Sequence, residues 1–196
     1  MARIRSALEI ALERTEDVAA DPEKIRISEL EKRGKRLMGS YLFEHDATIE
    51  SLSSDYAAVS AKDTPIIRKQ MVETLLANIS LPQDDLYVQQ LGRIKQAVVF
   101  LAGDDPMVDQ LFSHLDQIFQ QYLQARDQLL EMAKQQYAPT LKRKEEQMSQ
   151  QLGRPIRLQP EQDPEFIKLL EANYKHLEDN YSQAVDSAKE QIRELI

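Results

Sequence analysis

The sequence predicts an all-α protein, an elongated antiparallel helical bundle or coiled coil of three long helices. The chain of 196 residues has only 5 glycines and no tryptophan, and Glu, Gln, Lys, Leu and Ala abound, as in long helices. Apolar residues recur every three or four positions over long runs, which indicates amphipathic helices. Three Asp-Pro pairs separate these runs, and each pair is typical of a helix start.

The first two runs predict a short helix and a long one. Residues Ala2 to Asp17 place apolar side chains on one stripe and predict the short N-terminal helix. After the Asp21-Pro22 start, the pattern continues to about Ser60, which predicts a rod of roughly 60 Å. Its apolar stripe comprises Leu30, Gly34, Leu37, Tyr41, His45, Ile49, Leu52, Tyr56 and Val59.

Residues 62–103 predict a compact head of two helices. The first helix starts near Pro65 and ends before the sequence SLPQDD, and the second ends in AVVFLAG, the most apolar stretch of the protein. A helix that is apolar on so many sides is expected to be buried by several neighbours.

Two further long helices follow the head. The first starts at Asp104 or Asp105 and runs to Leu152, a length of roughly 70 Å, with a kink expected just before Pro139. The second starts at Asp163 and continues to the last residue. We therefore predict a single helical domain over residues 1–196, in which 1–61 and 104–196 form the long-helix bundle and 62–103 form an inserted head. Each apolar stripe is narrow, so the long helices must bury one another, within one chain or between two.

Charge and cysteine content restrict the function. The formal net charge is -8, which argues against general affinity for nucleic acid or anionic membranes. The chain has no cysteine, so disulfides and thiolate chemistry are excluded. The first 18 residues contain four acidic side chains and no continuous apolar centre, unlike a secretory or mitochondrial signal, and no run is long enough to span a bilayer. These features predict a cytoplasmic protein.

Residues suited to catalysis or metal binding do not form recognisable patterns. The residues three before His45, His114 and His176 are not glutamate, so the di-iron Glu-x-x-His motif of helical bundles is missing. Phosphate-binding glycine loops and nucleophile elbows are also missing. We expect His45 to be a hydrogen-bonded core histidine rather than a ligand, and the acidic pairs at helix starts to act as caps. The sequence thus predicts no catalytic residue, cofactor, metal or small-molecule substrate, and it favours a protein that is not an enzyme.

The sharpest basic cluster is EKRGKR, with Lys32, Arg33, Lys35 and Arg36. It could bind nucleic acid, or it could be a solvated helix face. Glutamates four residues before Arg33 and Lys35 are placed to neutralise two of the four cations, and no aromatic residue is present to stack a base. These observations favour the solvated face. The later segment LKRKEE is interpreted as neutralised in the same way.

Residues 151–164, QLGRPIRLQPEQDP, interrupt the helical pattern between the last two helices. Gly153 and Pro164 suffice to end one helix and begin the next, but the intervening link is longer than a helix hairpin requires. Two interpretations remain open. The link is either an elbow whose apolar side chains plug the end of the bundle, or a contact site for an acidic partner. The candidate contact residues are Arg154, Ile156, Arg157 and Leu158.

The N-terminal stretch RIRSALEIALERTEDV resembles the start of an uncharacterised family of small helical bacterial proteins. The resemblance covers about the first 40 residues, implies a bacterial cytoplasmic setting, and brings no activity or site residue. The sequence as a whole predicts a helical scaffold, adaptor or chaperone-like protein that binds protein partners and associates with itself. Two alternatives are a nucleic-acid accessory factor that uses residues 32–36 and a helical-bundle enzyme or metal carrier without a recognisable motif.

Overall fold

The computed structural model describes residues 21–84 and 86–196. Within these ranges the chain forms α-helices and one short 3₁₀ helix and contains no β-strand, which confirms the all-α fold class. The short helix predicted over Ala2–Asp17 lies outside the described residues. The helices are α1 (Pro22–Phe43), α2 (Ile49–Ala57), α3 (Thr64–Ala77), α4 (Tyr87–Ala102), α5 (Pro106–Leu152), the 3₁₀ helix (Pro160–Gln162) and α6 (Pro164–Leu195).

The chain divides into two compact units at a boundary between Thr74 and Leu75, within α3. In the first unit α1 starts as predicted, because the Asp21 carboxylate accepts a hydrogen bond from the backbone N–H of Glu23 at 3.1 Å. The unit buries apolar side chains from all three of its helices. Those at most 4% exposed are Met38, Tyr41, Leu42, Leu52, Ile67 and Met71.

The predicted continuous helix from Asp21 to about Ser60 is wrong. Helix α1 ends at Phe43, and α2 starts six residues later, at Ile49. The reason is a capping box in which Thr48 Oγ1 accepts from the Ser51 N–H at 3.2 Å and Ser51 Oγ accepts from the Thr48 N–H at 3.1 Å. His45 lies in the turn between the helices and is exposed, so the expected core histidine is also wrong.

In the second unit, the segment after α3 is fastened to α4. The hydroxyl of Tyr87 donates to the Asn78 carbonyl at 3.2 Å and accepts from the Ser80 N–H at 3.1 Å. The ring of Tyr87 meets Phe119 of α5 edge to face, with centroids 5.2 Å apart. Helices α3 and α4 are the two helices that the sequence predicts between residues 62 and 103. The predicted single domain with its inserted head stays a prediction.

Helices α5 and α6 form a long antiparallel hairpin. The 47 residues of α5 continue through Pro139 over about 70 Å, and α6 has 32 residues. Ring contacts join Tyr137 to Phe166 and Tyr122 to Tyr181, both with centroids 5.4 Å apart. Residue numbers rise along one helix as they fall along the other, which fixes the antiparallel direction. These helices are two of the three long helices predicted.

Candidate functional site

The link between α5 and α6 is an ordered elbow of residues 153–163. Gly153 ends α5 in the left-handed conformation, with φ of 66°, as its type and position predict. The N–H of Ile156 then donates to Ser149 Oγ at 2.9 Å, and the N–H of Leu158 donates to Glu145 Oε1 at 2.8 Å. Ser149 and Glu145 are one helical turn apart on α5, so the link runs back along the last turns of that helix.

The four predicted contact residues are all on this returning segment, but they divide into two kinds. Ile156 and Leu158 are half-buried, whereas Arg154 and Arg157 are exposed. Exposure alternates from Pro155 to Leu158, as in an extended chain that lies on a surface. The segment therefore anchors itself through apolar side chains and leaves two guanidinium groups in solvent. Contact with a partner stays a prediction.

A polar cluster, which we call the latch, ties the elbow to α5. Lys144 Nζ lies 2.8 Å from an oxygen of Asp163, 2.8 Å from one of Glu165 and 3.0 Å from the hydroxyl of Tyr137. Asp163 also caps α6 by accepting from the Glu165 N–H at 3.0 Å. It is 8% exposed, the one buried charged side chain among residues 21–84 and 86–196. Because a buried carboxylate needs a counter-charge, the ammonium of Lys144 stabilises both the cap and the elbow.

The pKa shifts in the latch keep its groups in fixed protonation states. Hydrogen bonds from the Lys144 ammonium lower the pKa of Asp163 and of Glu165, and hydrogen bonds to both carboxylates raise the pKa of Lys144. Burial raises the pKa of the Tyr137 phenol. At neutral pH the amine is therefore protonated and the phenol is neutral. Neither is a nucleophile or a base in that state, so the chemistry of the cluster is that of a structural fastening.

A second ion pair and a small apolar core support the latch. Lys134 on α5 lies 2.9 Å from Glu161 in the 3₁₀ helix and 3.6 Å from Glu131. The core beneath consists of Ala133, Tyr137 and Phe166, with Leu130, Leu141 and Leu170 packed against it. The sequence interpretation missed the latch. It recognised Asp163 as a helix start and treated Lys144 as neutralised by its neighbours, whereas the two pair with each other.

We expect the latch to weaken in acid. The pKa values of Asp163 and Glu165 are lowered by folding. The stability that these carboxylates add to the folded state is therefore complete above their unfolded-chain pKa values of 3.8 and 4.5, and it is lost as pH falls through the folded-state pKa values. The pKa of Lys144 is raised from 10.5, so its contribution is complete below that value and is lost only as pH rises through the folded-state pKa. Thermal unfolding of wild type and Lys144→Met should therefore differ most from about pH 6 to 9, and the difference in Tm should narrow toward about pH 3. A difference independent of pH would contradict the latch.

The basic cluster lies on α1 of the first unit. Lys32, Arg33, Lys35 and Arg36 are all exposed, and Gly34 between them is buried. The two in-helix ion pairs predicted for Arg33 and Lys35 are not among the ion pairs that the described residues form. The cluster is therefore a set of solvated cations spread around the outer side of α1.

Other candidate sites in the described residues are less developed. A cavity of about 380 Å³ between α1 and α2 is lined by Arg36, Tyr41 and Leu52 together with acidic and hydroxyl side chains. His114 and His176, like His45, are exposed. In residues 21–84 and 86–196 no group of three or more His, Asp or Glu side chains is arranged to hold a metal ion. None of the helices in these ranges is long and apolar enough to cross a membrane.

Comparison with known proteins gives a family without an activity. Residues 53–194 match the model of the family of unknown function DUF6657. The chain belongs to this family. No curated protein and no solved structure matches the chain.

The DUF6657 match covers both helices of the hairpin and the elbow. An uncharacterised family is what the sequence predicted. The predicted N-terminal motif lies wholly before the matched range, so the motif and a bacterial origin stay predictions. The DUF6657 family brings no activity and no site residue.

Proposed function

We propose that the protein is a non-enzymatic helical scaffold or adaptor, chaperone-like in that it acts through protein–protein interaction, and that it associates with itself. One observation carries the proposal. The latched elbow holds an extended segment in place and leaves Arg154 and Arg157 exposed. A segment ordered before binding loses less conformational entropy when a partner engages it.

Charge distribution around the elbow favours an acidic partner. The nearby carboxylates of Glu145, Asp163 and Glu165 are engaged within the chain. Two further cations, Lys142 and Arg143, are exposed on the last turns of α5. The four exposed cations at the elbow outnumber its unpaired carboxylates, of which Glu146 is one, and guanidinium groups bind carboxylates in a planar, bidentate geometry.

Site-specific photo-crosslinking tests this proposal. We expect a photoreactive amino acid at Arg157 to capture a defined protein partner in the native host, and the same group at exposed Lys175 on α6 to capture none. With the photoreactive group at exposed Gln159 instead, the pair Arg154→Glu and Arg157→Glu should lower the yield of partner at least about tenfold, because opposed like charges cost more than 1.4 kcal/mol. It should leave helicity unchanged, since both side chains are exposed. Equal capture at both positions would contradict a contact at the elbow.

An elongated antiparallel bundle of long helices belongs to the same proposal, with a third helix that ends at Phe43 rather than near Ser60. Helices α5 and α6 supply two of its members. Light scattering combined with small-angle X-ray scattering should give an elongated particle, and a compact sphere would contradict it. The bacterial cytoplasmic setting is likewise proposed, from the N-terminal resemblance alone.

A role with nucleic acid is the second candidate, and the exposure of the four cations at residues 32–36 favours it. Replacement of all four by glutamate separates the two functions. Under a nucleic-acid role the variant loses retention on heparin and DNA. Under the scaffold proposal retention is weak from the start, because the net charge is -8, and partner capture through Arg157 is unchanged.

A further inference from the structure

One side of the α5–α6 hairpin carries almost no charge, and we call it the uncharged flank. On α5 it follows positions spaced by three and four from Met107 to Pro139, and on α6 it follows the same spacing from Leu169 to Gln191. The exposed members on α5 are Met107, His114, Gln121, Met132, Gln136 and Pro139. The exposed members on α6 are Leu169, His176, Asn180, Gln183, Ser187 and Gln191.

The two stripes lie side by side. At the end of the hairpin away from the elbow, Met107, Leu111 and His114 of α5 line one recess together with Gln191, Glu194 and Leu195 of α6. The two helices stay side by side along the hairpin, because Tyr122 contacts Tyr181 and Tyr137 contacts Phe166. The flank is therefore one continuous surface.

The share of charged residues on this surface is much lower than in the rest of the chain. In a sequence that is 30% charged, about four of these twelve exposed positions would be expected to carry a charge, and none does. The one carboxylate at the edge of the flank is that of Glu194, which follows Gln191 on α6 and lines the recess beside Met107. The opposite flank has the ion pair of Lys134 with Glu161 and the charged residues Glu131 and Glu171. The uncharged flank also exposes large apolar side chains, with Met107 at 59%, Met132 at 55% and Leu169 at 37%. Depletion of charge and enrichment in methionine are typical of the centres of protein interfaces.

We propose that the uncharged flank is the interface between two copies of this chain. Each copy has a net charge of -8, so two copies repel each other, and the repulsion at the contact is smallest where neither presents charge. A charged partner would gain nothing from this surface, because its ions would lose water opposite amide and thioether groups. A second copy brings the same neutral surface and meets it around a two-fold axis, the geometry in which one patch contacts itself.

The size of the flank suits a stable dimer. From Met107 to Pro139, α5 rises about 50 Å, and a pair of packed helices is about 20 Å wide. This footprint, on the order of 1,000 Å², reaches the roughly 800 Å² per partner of standard protein interfaces. The recess beside Met107, about 290 Å³ in volume, offers the second copy an apolar place to insert a side chain.

Charge insertion tests the interface. We expect wild type to sediment as a dimer at micromolar concentrations and the pair Met132→Glu and Leu169→Glu to raise the dimer Kd at least about tenfold, because four carboxylates would oppose one another. Both positions are exposed, so helicity and Tm at low concentration should not change. The matched control, Gln135→Glu with Lys175→Glu at exposed positions outside the flank, should remain dimeric. A monomeric wild type or a dimeric flank variant would overturn the inference.

Because the chain has no cysteine, a single introduced thiol allows an independent measurement. A thiol introduced by Met132→Cys should react with a maleimide more slowly as protein concentration rises, and one introduced by Lys175→Cys should react at a constant rate. Equal, concentration-independent rates would overturn the inference even if a charged variant failed to fold. The inference rests on the proposed function but fails separately from it. A monomer that still crosslinks through Arg157 removes the dimer alone, and a dimer without that crosslink removes the elbow contact alone.

Discussion

Replacing Phe166 with alanine is expected to lower the free energy of unfolding of the hairpin by about 3–5 kcal/mol, the largest effect that we predict. Phe166 is fully buried at the start of α6, and its ring lies 5.4 Å from that of Tyr137. Its neighbours belong to two long helices, which cannot close around the missing ring without a shift of one helix against the other. The loss should therefore combine the transfer term with nearly the full cavity term. Chemical denaturation of the purified variant gives the measurement.

The chain contains a matched control. Phe43 is 65% exposed at the end of α1, so Phe43→Ala should change the free energy of unfolding by no more than about 0.5 kcal/mol. Phe166→Ala should also release the elbow, because Tyr137 joins the same small core to the latch. Faster amide exchange at Ile156 and Leu158, whose N–H groups bond to α5, would show that release. Losses of similar size for both phenylalanine variants would contradict the packing described for Phe166.

Helix starts were predictable because their chemistry is local. The Asp-Pro pairs at 21, 105 and 163 all start helices, and in each the aspartate accepts from the N–H two residues later. The break between α1 and α2 was missed because apolar periodicity continues across it. Its capping box pairs Thr48 with Ser51, where the usual signature has glutamate or glutamine, so the stop signal is weak in the sequence.

The candidate site was predictable only in part. The sequence identifies the elbow and its four contact residues from composition, because Gly153 and the prolines act on the backbone around them. The latch depends instead on a pairing between Lys144 and Asp163, which are 19 residues apart in sequence. In-helix rules consider partners three or four residues away, and Lys144 has no carboxylate at those positions. Only the antiparallel return of α6 selects the actual partners.

The apolar pattern was also an incomplete guide to interfaces. It predicts which side chains a helix buries, and Phe166, Val185 and Ile192 of α6 are buried accordingly. The uncharged flank is a different signal, since most of its exposed members are amides, histidines and methionines rather than aliphatic residues. A hydropathy pattern treats amide side chains like any other polar surface residue, so it does not distinguish the flank from a charged surface. A search for missing charge at helical spacing would have found the flank from sequence alone.

Two glycines of α1 are expected to respond to alanine in opposite directions. A Cβ added at Gly34 would lie 2.7 Å from the carbonyl oxygen of Ile67 and 2.8 Å from Cβ of Gln70, both on α3. Those atoms are fixed to the backbone and cannot rotate away, so α1 and α3 must separate. A Cβ added at Gly39 meets nothing within 4 Å. The two glycines thus lie on the same helix but differ in the room available for a side chain.

Overpacking costs about 1–3 kcal/mol, and alanine gains about 1 kcal/mol over glycine in a helix interior. At Gly34 a backbone collision puts the cost in the upper part of that range, so Gly34→Ala should destabilise the first unit by about 1–2 kcal/mol net. At Gly39 only the gain applies, so Gly39→Ala should stabilise by up to about 1 kcal/mol. Thermal unfolding should therefore move Tm down for one variant and up for the other. Stabilisation by both substitutions would mean that α1 and α3 are farther apart at Gly34 than described, and it would remove the reason for a glycine within the basic cluster.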